Sequence, residues 1–244
     1  MFQGQQVIVM GASHGIGEAT AAAFAAAGAA VTITGRSKER LEAAADRIGS
    51  PVATAEVDAT DPAAVAAFFE AVERIDHLVV TVGPGSGHGA LAPFAALAEE
   101  SLRAVFDGKF FAQFRVVQAA VPKLTRNASV TLVTALSSRS AMPGTAGLAA
   151  VNGALDAMVP PLAVELAPVR VNAVSPGVVD TAWWAGMPDA DRAAFFEKAA
   201  AQLPVGRVGR PEDVAHSILY LAGNGNVTGT VLPCDGGANL ATGA

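Results

Sequence analysis

The chain of 244 residues has little of several residue types that characterise other classes of protein. Its single cysteine, Cys234, excludes an internal disulfide and a structural zinc site built on cysteines, and it favours a reducing compartment. Charged residues make up only 16%, and the net charge is -6, which argues against a surface for nucleic acid or anionic lipid. We therefore expect no nucleic-acid partner, no membrane partner and no bound metal.

Long, strongly apolar runs are also missing. The mean hydropathy of +0.40 is high, but the uncharged stretches are rich in alanine and are broken by Gly28 or by Pro143-Gly144. None supplies the ~20 strongly apolar residues of a membrane-spanning helix. The first residues, 1–4, show no basic region and no cleavage site, so no signal peptide is expected. These absences predict a cytoplasmic protein.

What the sequence does contain is a regular alternation of two kinds of segment. Short runs rich in Val, Ile and Leu predict strands, and longer alanine-rich runs predict helices. The alternation predicts an α/β fold with a doubly wound parallel sheet between two helix layers, the three-layer Rossmann fold. No linker or repeat divides the chain, so we expect a single Rossmann-type domain over 1–244. The predicted strands are 6–10, 31–34, 52–57, 77–82, 129–135, 169–174 and 230–232, and the predicted helices are 16–27, 38–48, 63–74, 97–124, 148–166 (interrupted near Pro160-Pro161), 189–202 and 211–222.

A glycine-rich segment follows the first predicted strand and opens the first helix. Glycine lets the backbone turn sharply and approach a pyrophosphate, and the helix N-terminus adds N–H donors. The junction between a strand and a helix is the context that favours a dinucleotide site over a tight turn without a ligand. The residues expected to contact the cofactor here are Gly11, Ser13, His14, Gly15, Ile16 and Gly17.

The second strand ends at Arg36 and Ser37, where an NAD-specific site usually has an acid for the ribose 2′-hydroxyl. Arg36 suits a 2′-phosphate instead, because its guanidinium donates two charge-assisted hydrogen bonds. Ser13, His14 and Ser37 can add donors. The expected cofactor is therefore NADP(H), although Arg36 could also be a solvated surface arginine.

Two further candidates, Asp58 and Ala59, follow the third strand. Asp58 is placed to accept a hydrogen bond from the adenine amine of the cofactor. The same residue could instead only cap a helix, and the sequence leaves both interpretations open.

Six motifs resemble those of the short-chain dehydrogenase/reductase family in order and spacing, from about Gln6 to Leu240. The resemblance implies hydride transfer between NADP(H) and a carbonyl or alcohol. It implies that Pro176 and Gly177 hold the nicotinamide carboxamide, that Thr181 contacts the carboxamide or the pyrophosphate, and that Gly83 borders the cofactor. The motifs are Gly11-x-x-x-Gly15-x-Gly17, Asp76-His77-Leu78-Val79, Pro176-Gly177 with Asp180-Thr181, the segment 206–215, Thr228-Gly229, and Asp235-Gly236-Gly237.

The resemblance also implies a mobile substrate lid at about 180–205 and a small-molecule substrate. Trp183 and Trp184, with Phe195 and Phe196 nearby, could line a pocket for an apolar substrate or could pack at a subunit contact. Members of the family are usually homo-oligomers. We therefore expect a tetramer or dimer, built on the long helices and the last strand.

The family's catalytic side chains are missing from this chain. The family's chemistry needs a tyrosine four residues before a lysine. Alignment puts Leu148 at the tyrosine position and Asn152 at the lysine position. The only tyrosine, Tyr220, lies in the last helix. The serine position falls at Thr134 or Ala135, and Ser137 and Ser138 follow shortly after.

The family's asparagine position in the long helix is Lys109, so lysine and asparagine have exchanged helices. We hypothesise that Lys109 is a replacement electrophile or proton donor, because burial can bring a lysine pKa into a useful range. Thr134 and Asn152 complete the catalytic candidates, and Asn152 could still bind a ribose hydroxyl of the cofactor. Alternatively, Lys109 only pairs with a carboxylate. His88, in a glycine-rich loop, is a second titratable candidate.

Three functions remain open at this point. The chain could be a divergent NADP(H)-dependent oxidoreductase, an NADP(H)-binding sensor without turnover, or a non-catalytic structural subunit. Fold analogy alone does not choose among them.

Overall fold

A computed structural model describes residues 1–84 and 91–240. Its seven-stranded sheet is parallel, in the order β3-β2-β1-β4-β5-β6-β7. The strands are β1 (Gln6–Met10), β2 (Ala30–Gly35), β3 (Val52–Glu56), β4 (Ile75–Val80), β5 (Leu124–Val133), β6 (Arg170–Pro176) and β7 (Val231–Cys234). The helices are α1 (Gly15–Ala26), α2 (Lys38–Ile48), α3 (Pro62–Ala71), α4 (Glu99–Val105), α5 (Ala112–Ala120), α6 (Ala146–Glu165), α7 (Asp189–Gln202) and α8 (Pro211–Gly223).

Two apolar cores lie on opposite faces of the sheet. One packs α3, α5 and α6 against the strands and buries Phe69 and Leu155. The other packs α1, α2 and α8 and buries Phe24 and Ile218. The predicted doubly wound, three-layer Rossmann fold is therefore confirmed.

The long helix predicted over 97–124 is present from Glu99 to Ala120, but it is shorter than predicted and not regular. A π-helical segment, Phe106–Phe111, separates α4 from α5, and Leu124 already begins β5. At Gly108, inside this segment, a Cβ atom would lie 3.3 Å from the Cα of Pro84. A π turn inserts an extra residue into the helix and occurs mostly at functional sites. Hydrophobic periodicity did not predict this segment.

The interruption predicted near Pro160-Pro161 is wrong, because α6 runs unbroken through both prolines. Both are exposed, so water can satisfy the carbonyl groups that lose a helical partner. Contrary to the sequence expectation, α6 has the length and hydropathy to cross a membrane, with 20 residues and a mean of 1.3. Alanine contributes to that mean, 33% of that stretch is buried, and Leu155 and Val159 pack into the core.

The strand order reverses beside β1, which pairs with β2 on one side and with β4 on the other. In open α/β sheets, ligands bind beyond the carboxyl ends of the strands at such a reversal. The segments that follow Met10, Val80, Val133 and Pro176 therefore all emerge at the edge where a site is expected.

One buried hydroxyl in the sheet gives a test of the core. Thr131, in β5, is 1% exposed, and its Oγ1 has no hydrogen-bond partner among the described residues. A buried polar group without a partner costs about 1–3 kcal/mol. Thr131→Val keeps the shape of the side chain and should raise the free energy of unfolding, measured by urea denaturation, by about 1 kcal/mol.

Thr20→Val is the matched control, because the Thr20 hydroxyl is equally buried but donates to the Ile16 carbonyl at 2.7 Å. That substitution should not stabilise the protein. Equal effects of both substitutions would contradict this account of β5.

Candidate active site

The glycine segment after β1 adopts backbone conformations that side chains would obstruct. Gly11 has φ +91° and Gly15 has φ +61°, both in the left-handed region that favours glycine. At Gly17, a Cβ atom would lie 2.4 Å from the Gly11 carbonyl oxygen and 2.7 Å from Thr81 Oγ1. The Thr81 hydroxyl lies 2.9 Å from the carbonyl oxygens of Met10 and Gly11 and so links β4 to this turn. The start of α1 is therefore pressed directly against the sheet edge.

The N-terminus of α1 has backbone donors that no side chain caps. His14 is the N-cap residue, and its side chain makes no capping hydrogen bond. By contrast, Ser37 caps α2 and Asp61 caps α3. Free N–H groups at a helix N-terminus, next to glycines, form an anion site.

The glycine segment 11–17 and the N-terminus of α1 together form what we call the cradle. The segment after β6 lies on the other side of this cradle. The Thr181 methyl group lies 3.4 Å from where a Gly15 Cβ atom would be. Pro176 is buried, and a Cβ atom at Gly177 would lie 2.9 Å from the Cα of Asp235. The fold thus brings Thr181 against Gly15 and Asp235 against Gly177, and each of these two contacts joins residues that are far apart in the sequence.

At the end of β2, Arg36 is exposed and forms no ion pair within the described ranges. Asp58 Oδ1 accepts hydrogen bonds from the Thr60 backbone N–H at 2.8 Å and hydroxyl at 2.7 Å. Burial acts to raise the pKa of Asp58, but these hydrogen bonds and the charge of Arg36 together hold it below its ordinary value. Asp58 therefore closes a turn rather than capping a helix, since Asp61 is the cap of α3.

The hydroxyl of Ser37 accepts from the Arg40 N–H at 3.3 Å, and it keeps its own proton for a ligand. Ser13 is partly buried, and its carbonyl oxygen accepts from Arg47 at 3.2 Å. Arg47 also pairs with Glu18 through two hydrogen bonds, of 2.7 and 2.9 Å. This link between α2 and α1 fixes the glycine segment, and the sequence analysis did not identify it.

The remaining expected cofactor contacts differ in exposure. His14 and Gly83 are exposed, and the space around Gly83 is open. Ile16 is partly buried against the second core, and Ala59 is buried. Contact of these four residues with a cofactor stays a prediction.

Lys109 lies in the π segment and reaches across to α6. Its Nζ donates to Asn152 Oδ1 at 2.7 Å and to the Thr134 carbonyl oxygen at 3.2 Å. Asn152 is 2% exposed, and its amide nitrogen donates to Ser137 Oγ at 3.0 Å and to the Leu148 carbonyl at 2.9 Å. The structure therefore brings together the three catalytic candidates, Lys109, Thr134 and Asn152.

The environment of Lys109 alters its acidity. Burial lowers the pKa of Lys109 to about 8 from an ordinary value of 10.5, and the negative charge of Asp156 acts in the opposite direction. No carboxylate forms an ion pair with Lys109 in the described part of the chain. The alternative that Lys109 only neutralises a neighbouring carboxylate is therefore wrong, because its direct partners are neutral oxygens.

The hydroxyl groups nearby have different availability. Thr134 Oγ1 is buried and donates to the Val174 carbonyl at 3.4 Å, so Thr134 acts on Lys109 through its backbone carbonyl. Ser137 Oγ only accepts, from Asn152, and within the described residues its own proton has no acceptor. Ser137 is thus the better-placed hydroxyl, which the alignment onto Thr134 or Ala135 did not select.

Comparisons with known proteins agree with this geometry. A family model described as enoyl-(acyl carrier protein) reductase matches residues 11–239. The short-chain dehydrogenase/reductase ATR9 of Stachybotrys chlorohalonatus is 33% identical, over 98% of both chains. The 3-oxoacyl-(acyl-carrier-protein) reductase FabG of Thermotoga maritima is 34% identical, over 96% of this chain and 98% of the relative.

The solved structures show the same likeness. A small-chain dehydrogenase in complex with NADPH superposes with a TM-score of 0.84 at 30% identity, covering 98% of this chain and 100% of that one. The chain belongs to the short-chain dehydrogenase/reductase family. Members of this family are oxidoreductases that bind a nicotinamide cofactor.

The residues of the cradle fit such a cofactor. Uncapped N–H groups of α1 suit the pyrophosphate, and close packing at Gly15 and Gly17 leaves the backbone accessible where a side chain would fill the space. The exposed guanidinium of Arg36 is available at the end of β2.

In this family member the usual tyrosine position, Leu148, carries an apolar side chain that packs beside Val105 and Val151. Tyr220 lies in α8 and is 51% exposed, away from the Lys109 site. His88 falls outside the described residues.

The expected lid contains a short 3-10 turn, Ala182–Trp184, followed by α7. Trp184 donates from its indole nitrogen to the Val179 carbonyl at 2.9 Å and packs 4.8 Å from the Phe195 ring, centroid to centroid. Phe196 lies 6.0 Å from the same tryptophan. Trp184 therefore packs α7 against the segment after β6, and its ring is used in contacts within the expected lid.

Gly17→Ala tests the cradle. The new methyl group would collide with the Gly11 carbonyl, and neither backbone segment can move freely, so the free energy of unfolding should fall by about 1–3 kcal/mol. NADPH affinity, followed by nicotinamide fluorescence, should fall as well.

Gly153→Ala in α6 is the matched control, because no atom lies within 4 Å of the position of its Cβ. This substitution should stabilise the helix by up to about 1 kcal/mol. Equal NADPH affinity of the Gly17 variant and the wild type would contradict the assignment of the cradle.

Proposed function

We propose that the chain is an NADP(H)-dependent oxidoreductase that interconverts a carbonyl and an alcohol, with Lys109 as the proton donor and acceptor. The observation that carries the proposal is the set of partners around the Lys109 ammonium. Two of its three donors are held by Asn152 Oδ1 and the Thr134 carbonyl. The third donor remains for an oxygen atom of the substrate.

The reaction requires a hydride and a proton. The bound nicotinamide supplies the hydride. Lys109 donates a hydrogen bond to the substrate carbonyl, stabilises the negative charge that develops on its oxygen, and then transfers the proton. Asn152 and Thr134 fix the direction of the ammonium, and Ser137 can donate a second hydrogen bond to the same oxygen.

The absence of the tyrosine does not end catalysis on energetic grounds. A positioned general acid contributes ~10²–10⁴-fold to the rate, and Lys109 with a pKa of about 8 can take that role near neutral pH. Holding hydride donor and acceptor together contributes ~7–11 kcal/mol. The larger contribution depends on the binding cradle, which this chain retains.

The preference for NADP(H) rests on Arg36, which is exposed at the end of β2 and without a carboxylate partner in the described ranges. Ser37 beside it has a hydroxyl proton to donate. A guanidinium and a hydroxyl suit a 2′-phosphate better than a 2′-hydroxyl.

The substrate and assembly follow from apolar surfaces. Phe110 and Leu148 pack against Val105 and Val151, on the elements that carry Lys109 and Asn152, and they suit a small apolar substrate. On the outside of α5, Phe114 is 39% exposed and Val121, just after the helix, is 37% exposed. We propose that this surface supports a homo-oligomer, a dimer or tetramer, of a cytoplasmic enzyme.

Cofactor preference is tested by titrating NADPH and NADH against wild type and Arg36→Ala. NADPH should bind at least ~10-fold more tightly than NADH to the wild type, and the substitution should remove most of this difference. Arg40→Ala is the control, because Arg40 is an exposed cation on α2 that should leave the preference unchanged. Tight NADH binding that Arg36→Ala does not affect would refute the proposal of NADP(H).

Lys109→Met tests the proton donor. Turnover should fall ~10²–10⁴-fold while NADPH affinity stays within a few-fold of wild type, because methionine keeps the apolar stem and removes the charge. Lys123→Met, which removes a partly buried lysine that donates to the Glu70 carbonyl at 3.1 Å, should leave both unchanged.

The pH dependence has a definite sign. Reduction needs protonated Lys109, so its rate should fall as the pH rises through about 8, and alcohol oxidation should rise over the same range. Tight NADPH binding without turnover on any carbonyl would favour the sensor function. Absence of binding would favour the structural subunit.

A further inference from the structure

Asp156 is a largely buried acid that the proposed mechanism does not use. Its side chain is 12% exposed, and it lies on α6 one helical turn after Asn152. Residues four apart lie on the same helix face. The fold therefore places this carboxylate on the same side of α6 as the amide that holds Lys109.

Two contacts fix one side of the Asp156 carboxylate. Oδ2 accepts a hydrogen bond from Ser138 Oγ at 2.6 Å, in the turn after β5. Arg139 Nε lies 3.7 Å from the same oxygen, with its own side chain 42% exposed. Oδ1 is buried and has no hydrogen-bond partner among the described residues. A carboxylate in this setting keeps much of its field, because little water is present to screen it.

The field of Asp156 acts on Lys109, where it opposes the effect of burial on the lysine pKa. The other charged groups on the packed elements are exposed or have partners of their own. These groups are Asp107 on the π segment, the Glu99–Arg103 pair on α4, Arg115 over the Phe111 ring on α5, and Arg139 beside Asp156. His88 lies outside the described residues.

We propose that Asp156 is a positioning residue for the reaction proposed above, on which this inference rests. Its carboxylate, anchored by Ser138, favours the ammonium form of Lys109 and so supports the hydrogen bonds to Asn152 and Thr134. The action is through the field, because Asp156 and Lys109 form no direct ion pair.

The separation has a chemical purpose. A directly paired carboxylate would stabilise the ammonium strongly and make proton transfer to a substrate less favourable. Without any acid nearby, burial alone would lower the lysine pKa further, because only the charge of Asp156 opposes it. A general acid is most effective when its pKa lies near the working pH, and an acid held one helical turn away meets this requirement.

The test measures the protonation of Lys109 directly. The chain has only four lysines, Lys38, Lys109, Lys123 and Lys198. Protein labelled with ¹³C at lysine Cε should therefore give four signals, and Lys109→Met assigns the one of interest. Its chemical shift is followed against pH in the wild type and in Asp156→Asn, which keeps the shape and a hydrogen bond to Ser138 but removes the charge.

In the wild type the Lys109 signal should titrate near pH 8. In Asp156→Asn the midpoint should fall by at least ~0.5 pH unit. This shift is smaller than the ~1–3 units that a directly adjacent charge produces, because Asp156 is not in contact with Lys109. Glu165→Gln removes the same charge from the exposed end of α6 and should leave the midpoint unchanged. Equal midpoints for wild type and Asp156→Asn would overturn the proposal.

If Asp156→Asn does not fold, Arg139→Gln decides the question. Removing this exposed cation leaves the Asp156 charge less compensated, so the Lys109 midpoint should rise, and an unchanged midpoint would overturn the proposal. The titration needs no substrate. A lowered midpoint in a protein without turnover would refute the oxidoreductase function and leave the electrostatic role of Asp156 standing, so the two failures are distinguishable.

Discussion

The carboxyl edge of a parallel sheet ends in carbonyl groups that no further strand pairs, and the architecture of this site follows from how they are satisfied. The Thr81 hydroxyl lies within hydrogen-bond distance of the Met10 carbonyl at the end of β1. The buried Gln113 amide donates to carbonyls after β4 and at the end of β5. Lys109 donates to the Thr134 carbonyl. Because this last donor is charged, the hydrogen bond to the Thr134 carbonyl also places an ammonium group at the carboxyl edge of the sheet.

The exchange of lysine and asparagine between helices preserves a complementary pair. In this chain the ammonium of Lys109 on the π segment donates to the amide oxygen of Asn152 on α6. With the two residue types in the opposite positions, an amide on the earlier helix would face an ammonium on α6, and the pair would be equally complementary. What changes is the location of the charge. In this chain the charge lies on the π segment, from which Lys109 donates to Asn152 on α6.

The sequence predicted the features that depend on local patterns. Alternating apolar segments were enough for the parallel sheet, and Gly11, Gly15 and Gly17 were enough for the cradle, because their spacing reflects a turn within one short segment. The alignment also identified Lys109 and Asn152 as a pair, although they lie 43 residues apart.

Other features were not predictable because they depend on tertiary packing. The π segment arises where Gly108 approaches Pro84, and no periodicity encodes that contact. Ser137 gains its role only through the amide of Asn152, and the Arg47 contact with Ser13 spans 34 residues. The one available signal for Asp156 was its four-residue spacing from Asn152.

The central claim is that Lys109 supports hydride transfer in the absence of the tyrosine. The most direct measurement incubates the protein with NADPH that carries deuterium at the transferable nicotinamide position and with a panel of apolar carbonyl compounds, and analyses the products by mass spectrometry. The account predicts an alcohol with one deuterium from the wild type and much less from Lys109→Met. Bound NADPH with no labelled alcohol from any carbonyl compound, or equal labelling by both proteins, would contradict it.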